Sequence, residues 1–198
     1  MNGKKYKARV GMKENVEYVL RDKYGNVKPI FQENSLLRFL IKHELISPLW
    51  INRWYSAIVS PFFGFWSDKR LVSNLVTNAG MAGVASRING SGSEAAFTYI
   101  AVGTGTTAAA VTDTTLETEI TDSGLARASA SVSRTTTDVT NDSAVLTNTF
   151  SVTGTKAVTE SGVLNAGSSG VLLARQVFSA VNVLNGDSLA VTWTIDVD

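Results

Sequence analysis

Along SLAVTWTIDV, residues 188–197, the apolar side chains Leu189, Val191, Trp193, Ile195 and Val197 alternate with Ala190, Thr192, Thr194 and Asp196. That period of two predicts a β-strand with one face turned to a core. SAVLTNTFSV repeats the pattern, with Leu146, Phe150 and Val152 on one side. AVTESGVLNA and VLLARQVFSA flank GSSG and predict a hairpin, and LNGD marks a further turn before the last strand. About five or six strands at intervals of roughly 10–15 residues predict an antiparallel β-sandwich, jelly-roll-like, over 97–198.

The pattern differs upstream. In 1–33, KYKARVGM alternates, and VEYVLRDKYGNVKPIFQE predicts two strands around DKYGN, where Gly25 and Asn26 supply positive φ. Pro29 marks an edge strand or the end of one. The segment 34–96 predicts helices. Asn34 or Ser35 caps SLLRFLIKHELI, in which Leu36, Phe39, Leu40 and Ile46 recur at helical spacing. LWINRWYSAIV predicts a second short helix between Pro48 and Pro61, and NLVTNAGMAGVASRI, 74–88, a third. The small residues of that third segment favour close backbone packing, although Gly80 and Gly83 each weaken a helix by about 1 kcal/mol.

Composition narrows the class. The 198 residues are 44% hydrophobic with mean hydropathy +0.08, as expected for a folded chain. There are no cysteines, so disulfides and thiolate metal sites are excluded. The net charge of +1 conceals an asymmetry: residues 1–98 hold 14 basic and 7 acidic side chains, residues 99–198 hold 4 and 10. A basic half and an acidic half suit docking between copies as well as solvated faces of opposite sign. MNGKKYKARV lacks the apolar core of a signal peptide. The uncharged stretch WYSAIVSPFFGFWS covers 14 residues, short of the roughly 20 that a membrane helix needs.

Candidate chemistry is sparse. VGTGTT, 102–107, follows a strand but carries neither the dinucleotide fingerprint nor a P-loop lysine, and acids follow it. It predicts a structural loop. Asp113, Glu117 and Glu119 are read as loop acids in preference to a divalent-metal site or an acid/base pair. His43 has neither a nucleophile elbow nor an orienting partner in sequence. Lys4, Lys5, Lys7 and Arg9 accompany no nucleic-acid motif. Catalytic, metal and cofactor sites are therefore not expected, and neither is nucleic acid as a partner. The unusual feature is aromatic: Phe39, Trp50, Trp54, Tyr55, Phe62, Phe63, Phe65 and Trp66 fall within 28 residues, interleaved with Arg38 and Arg53. A small helical core and a partner-binding anchor both suit such a cluster, and insertion into a bilayer interface is a third, weaker reading.

Taken in order, NLVTNAG, FTYIAVGTGTTAAAVTDTTLETEI, AVTESGVLNAGSSGVLLARQVF and LAVTWTI resemble a family of small virion structural proteins of tailed bacteriophages, head-decorating or tail-fibre-like. The resemblance covers about residues 70–198. It implies a non-enzymatic, self-assembling β domain in which Gly103, Gly105, Glu160, Gly162, Arg175 and Trp193 are fold determinants. The chain departs from the family between about 34 and 70, where the aromatic insert intervenes. The expectation is a head decoration, cement or minor capsid protein of the virion, made in the host cytoplasm and homo-oligomeric. Phe39, Trp50, Arg53, Trp54, Tyr55, Phe62, Phe63, Phe65 and Trp66 would contact other virion proteins. The alternative is a tail-fibre or baseplate component that attaches to the host surface. An enzyme acting on cell-wall polysaccharide ranks third.

Overall fold

A computed structural model describes residues 12–34, 36, 39, 64–73 and 75–197 of the chain. These residues are mainly β, with every strand pair antiparallel. The first sheet runs β2 (Val27–Lys28), β1 (Met12–Arg21), β13 (Ser188–Val197), β10 (Ser143–Ser151), β9 (Ser131–Thr135), and β5 (Arg70–Ser73) also pairs with β1. The second runs β6 (Leu75–Val76), β12 (Leu172–Val183), β11 (Lys156–Leu164), β7 (Tyr99–Gly103), β8 (Ala128–Ser129). β3 (Ile30–Glu33) and β4 (Gly64–Ser67) form a small ribbon.

The alternating residues feed one core drawn from both sheets. Val16, Tyr18 and Leu20 of β1, Leu146 and Phe150 of β10 and Leu189, Val191, Trp193 and Ile195 of β13 meet Ile100, Val102, Val158, Val163, Leu173 and Phe178 of the second sheet. Trp193 is fully buried, and its Nε1 donates to Ser161 Oγ at 3.1 Å, linking the two sheets. Val197, at the strand's end, is 48% exposed.

β1 is an integral member of this core. It pairs with β13 from Met12↔Val197 to Arg21↔Ser188, so the two ends of the described chain lie side by side. Its turn to β2 follows DKYGN as expected, with Gly25 at φ +86°. Asn26 does not share the positive φ; its backbone and side-chain amides both donate to the Asp22 carboxylate, at 2.9 and 3.0 Å. Those bonds, the Asn26 side chain first, hold the Asp22 carboxyl below its ordinary pKa. Pro29 falls at the break between β2 and β3.

The third helix begins later than its small-residue pattern suggests. Leu75 and Val76 pair with Arg175 and Ala174 as β6, and helix α1 covers Asn78–Asn89. Thr77 caps it: Oγ1 accepts from Gly80 N at 2.9 Å and donates to Leu172 O at 2.6 Å, while Thr77 N bonds Leu173 O. Gly90, at φ 71°, closes the helix. A Cβ on Gly80 would collide with the Leu173 carbonyl. Gly80→Ala is accordingly expected to lower stability by about 1–3 kcal/mol through overpacking, despite alanine's better helix propensity, in a urea titration. An unchanged or raised midpoint would contradict the close packing.

A turn at 136–142 links β9 to β10. The Asp142 carboxylate accepts from the amides of Thr137 and Asp138 at 2.8 Å and Val139 at 2.6 Å. These bonds, Val139's first, depress its pKa to about 2. A depressed carboxyl stabilises above its unfolded pKa of 3.8 and loses that contribution as pH falls through about 2. Asp142→Asn should therefore flatten the stability–pH curve in that window, as followed by fluorescence.

Candidate functional site

The loop between β7 and β8, residues 104–127, holds the densest polar network among the described residues. Its first part packs on the face of the second sheet opposite the main core, where Leu116 meets Ala101, Leu164 and Leu172, with Tyr99 alongside, while Ile120 and Leu125 turn into the main core. Its path is fixed by carboxylates that accept backbone N–H groups. Glu160 on β11, fully buried, takes Gly105 N (3.0 Å) and Thr118 N (2.7 Å) on Oε1 and Glu117 N (3.1 Å) on Oε2. Glu117 accepts Thr106 N and Thr107 N, both at 2.7 Å, and Thr107 Oγ1 at 2.8 Å. Asp113 accepts Ala110 N at 3.0 Å.

Arg175 on β12 joins the three acids. Nε donates to Glu160 Oε2 and Nη1 to Asp113 Oδ2, both at 2.8 Å; Nη2 reaches Thr107 O at 3.1 Å and Glu117 Oε2 at 3.4 Å. Its side chain is 3% exposed. Burial works against the charge on Arg175, but the hydrogen bonds it donates to Asp113 and Glu160, with their negative charges, outweigh it and raise the pKa above the ordinary value. The Thr107 amide leads the bonds that hold the Glu117 carboxyl below the carboxylate range.

Local backbone features make the clamp possible. The β11–β12 register shifts between Val158 and Glu160, a bulge-like irregularity. Thr159 and Glu160, neighbours in sequence, therefore both serve Gly105: Thr159 Oγ1 donates to its carbonyl at 2.7 Å while Glu160 accepts its amide. A regular strand would send them to opposite faces. A Cβ on Gly105 would sit 2.5 Å from Glu160 Oε1, and one on Gly103 would also collide with that carboxylate. The glycines of VGTGTT thus admit a carboxylate, the reverse of a phosphate cradle.

A second clamp lies at the loop's far end. Arg127 grips Glu119 with Nε at 2.9 Å and Nη2 at 2.6 Å, and its Nη1 donates to Ala166 O and Ser169 O of the β11–β12 turn. Asp113, Glu117 and Glu119 are loop acids as expected and clamp members besides, Glu117 still 38% exposed and the other two half-buried. Among the described residues no group of three or more His, Asp or Glu side chains is arranged to hold a metal ion, and no helix is long and apolar enough to cross a membrane.

The aromatic anchor residues are placed only in part. Trp50, Arg53, Trp54, Tyr55, Phe62 and Phe63 lie outside the described residues, as does His43. Phe39 is helical and 53% exposed. Phe65 and Trp66 stand in strand β4, not in a helix, because Gly64–Ser67 pairs with Ile30–Glu33. Trp66 meets Phe31 edge-on at 5.8 Å, and the two β4 aromatics remain 57% and 47% exposed, Phe65 and Trp66 respectively. Within 64–96 only α1 is helical, so the expected aromatic helical insert is replaced there by short strands. No family model, curated protein or solved structure matches this chain.

Proposed function

We propose that this chain is a structural protein of a bacteriophage virion, a head decoration, cement or minor capsid protein that stabilises the particle through subunit contacts and carries out no catalysis. What carries the reading is the use to which its motifs are put. Gly103, Gly105, Glu160 and Arg175 hold a loop to a sheet, Gly162 packs beneath Leu116 and Leu172, and Trp193 ties the two sheets together. Polar side chains committed to intramolecular bonds suit a scaffold better than a reaction centre, which needs groups directed at a substrate. A main core fed by both sheets supports the finer reading of an antiparallel, jelly-roll-like sandwich.

In this proposal the exposed aromatics Phe39, Phe65 and Trp66, with the rest of the 34–66 segment, meet neighbouring virion subunits. Burying such anchors only in the assembled shell stabilises that shell selectively. A hot-spot aromatic truncated to alanine costs at least about 2 kcal/mol of binding. Trp66→Ala is expected to weaken retention on particles by that amount, and wild-type retention would count against the anchor role. The alternative, a tail component that attaches to the host surface, draws on the hydroxyl-lined outer face of the first sheet, where Thr147 and Thr192 lie 3.3 Å apart. Immunogold microscopy of intact particles with antibody to 97–198 separates the two. Label over heads is expected; label confined to tails would overturn the head assignment.

A further inference from the structure

The outward face of the first sheet carries small, uncharged side chains. Alternation away from the core residues of β10 and β13 places Val145, Thr147 and Thr149 beside Thr194, Thr192 and Ala190. Ser133 and Ser131 of β9 continue two of these rows, opposite Val145 and Thr147. None of these side chains exceeds valine or threonine in size. Ser131, Ser133 and Thr149 are exposed, and the others are partly so. A sheet face made only for water ordinarily draws long charged side chains as well, the types most at home there.

Among the described side chains, the charges of this face lie at its borders and are already engaged. Glu17 is bonded by Lys69 at 2.9 Å on the β5 side. Arg21 donates to Gly25 O at 3.1 Å in the first turn. Asp196 is buried at the far end, where Ser143 Oγ donates to it at 3.0 Å.

We infer that this face packs against the same face of a second copy, sheet on sheet, about a two-fold axis. Two observations name a second copy as the occupant. The first is self-compatibility. Side chains near a two-fold axis come against their own copies, so a patch that pairs with itself keeps like charges off its centre. The β10–β13 rows from Val145 and Thr194 to Thr149 and Ala190 meet that condition. A strongly charged partner would need opposite charges in those rows, and they hold none. The second observation is area. The strands β9, β10, β13 and β1 lie side by side. At about 4.8 Å between strands and about 3.3 Å per residue, four strands of about eight residues cover roughly 19 by 26 Å, about 500 Å². Two copies then bury about 1,000 Å², the least that a specific contact needs. Small side chains let the sheets approach to the usual spacing of about 10 Å. The inference goes beyond the structural-protein reading and does not rest on it. In such a dimer the hydroxyl face is covered, and the host-attachment alternative loses its surface.

Sedimentation velocity of the full-length chain is the test. The wild type is expected to sediment as a reversible dimer at micromolar concentration. Thr147→Lys and Thr147→Glu, at the patch centre, are each expected to weaken dimerisation at least about tenfold, because each brings like charges together. An equimolar mixture of the two is expected to recover dimer, since opposite charges then meet. Ser91→Lys, exposed in the turn after α1, is the control and should match wild type. Thermal unfolding of dilute samples checks that both variants fold, and Val145→Lys with Val145→Glu replace them if either does not. A wild type that stays monomeric at every concentration would overturn the inference. So would association that neither substitution weakens, or a mixture of the two variants that stays monomeric.

Discussion

Glu160→Ala is expected to destabilise the protein by about 3–5 kcal/mol, the cost of breaking a buried ion pair by removing one member. The substitution leaves Arg175, 3% exposed, without its fully buried partner. It also strips the amides of Gly105, Glu117 and Thr118 of their acceptor. Urea unfolding reads the loss as a fall in midpoint. The companion experiment is Glu160→Leu with Arg175→Met. Where a buried pair interacts only with itself, an apolar replacement is often neutral. Here the double variant should remain well below wild type, since three loop amides still lack a carboxylate. Recovery to wild-type stability would show that the loop amides find acceptors elsewhere, and that Glu160 does not hold the loop.

The clamp also has a pH signature. Glu117 has a depressed folded pKa, so its contribution is present above the unfolded carboxylate value of 4.5 and disappears as pH falls through the folded one. Hydrogen exchange on Thr106 and Thr107, whose amides it accepts, should rise on acidification before the strands of the main core open.

Trp193→Ala is expected to cost about 3–5 kcal/mol, the range for emptying a buried aromatic site. Its ring belongs to the core shared by both sheets, and its Nε1–H is held by Ser161, whose own hydroxyl donates to Ala101 O at 2.9 Å. Thermal unfolding of the full chain measures the loss. Trp193→Phe keeps most of the packing and gives up the link to Ser161, so a smaller loss of about 1–2 kcal/mol is expected. Equal losses in the two variants would mean that the hydrogen bond, not the packing, dominates.

Much of the β architecture was legible in the residues. The alternation 189–195 marked the buried face of β13, and GSSG between two apolar runs marked the β11–β12 hairpin. Gly25 marked the first turn. These features are local: a period of two, or a residue able to take positive φ, states its preference wherever the chain lies. Even the clamp left a trace, since Glu160 and Arg175 are charges set among the apolar positions of β11 and β12, and such charges are seldom buried unless paired.

What the residues did not state is who meets whom. Alternation assigns a face to a strand but names no neighbour, so the pairing of Met12–Arg21 with Ser188–Val197 is decided by the assembled core. The short strands at 64–76 carry little pattern of their own, and pairing with β1, β3 and β12 forms them. The convergence of Asp113, Glu117, Glu160 and Arg175 exists only because the first part of loop 104–127 lies across the outer face of the second sheet. That placement buries Glu160 and Arg175 and brings the half-buried Asp113 and the exposed Glu117 beside them, and only there do their charges and the loop amides satisfy one another. Sequence determined the longer alternating strands, their buried faces and the turns between them, because those are short-range preferences. Tertiary structure alone decided the sheet order and the clamp, because both depend on contacts between residues far apart along the chain.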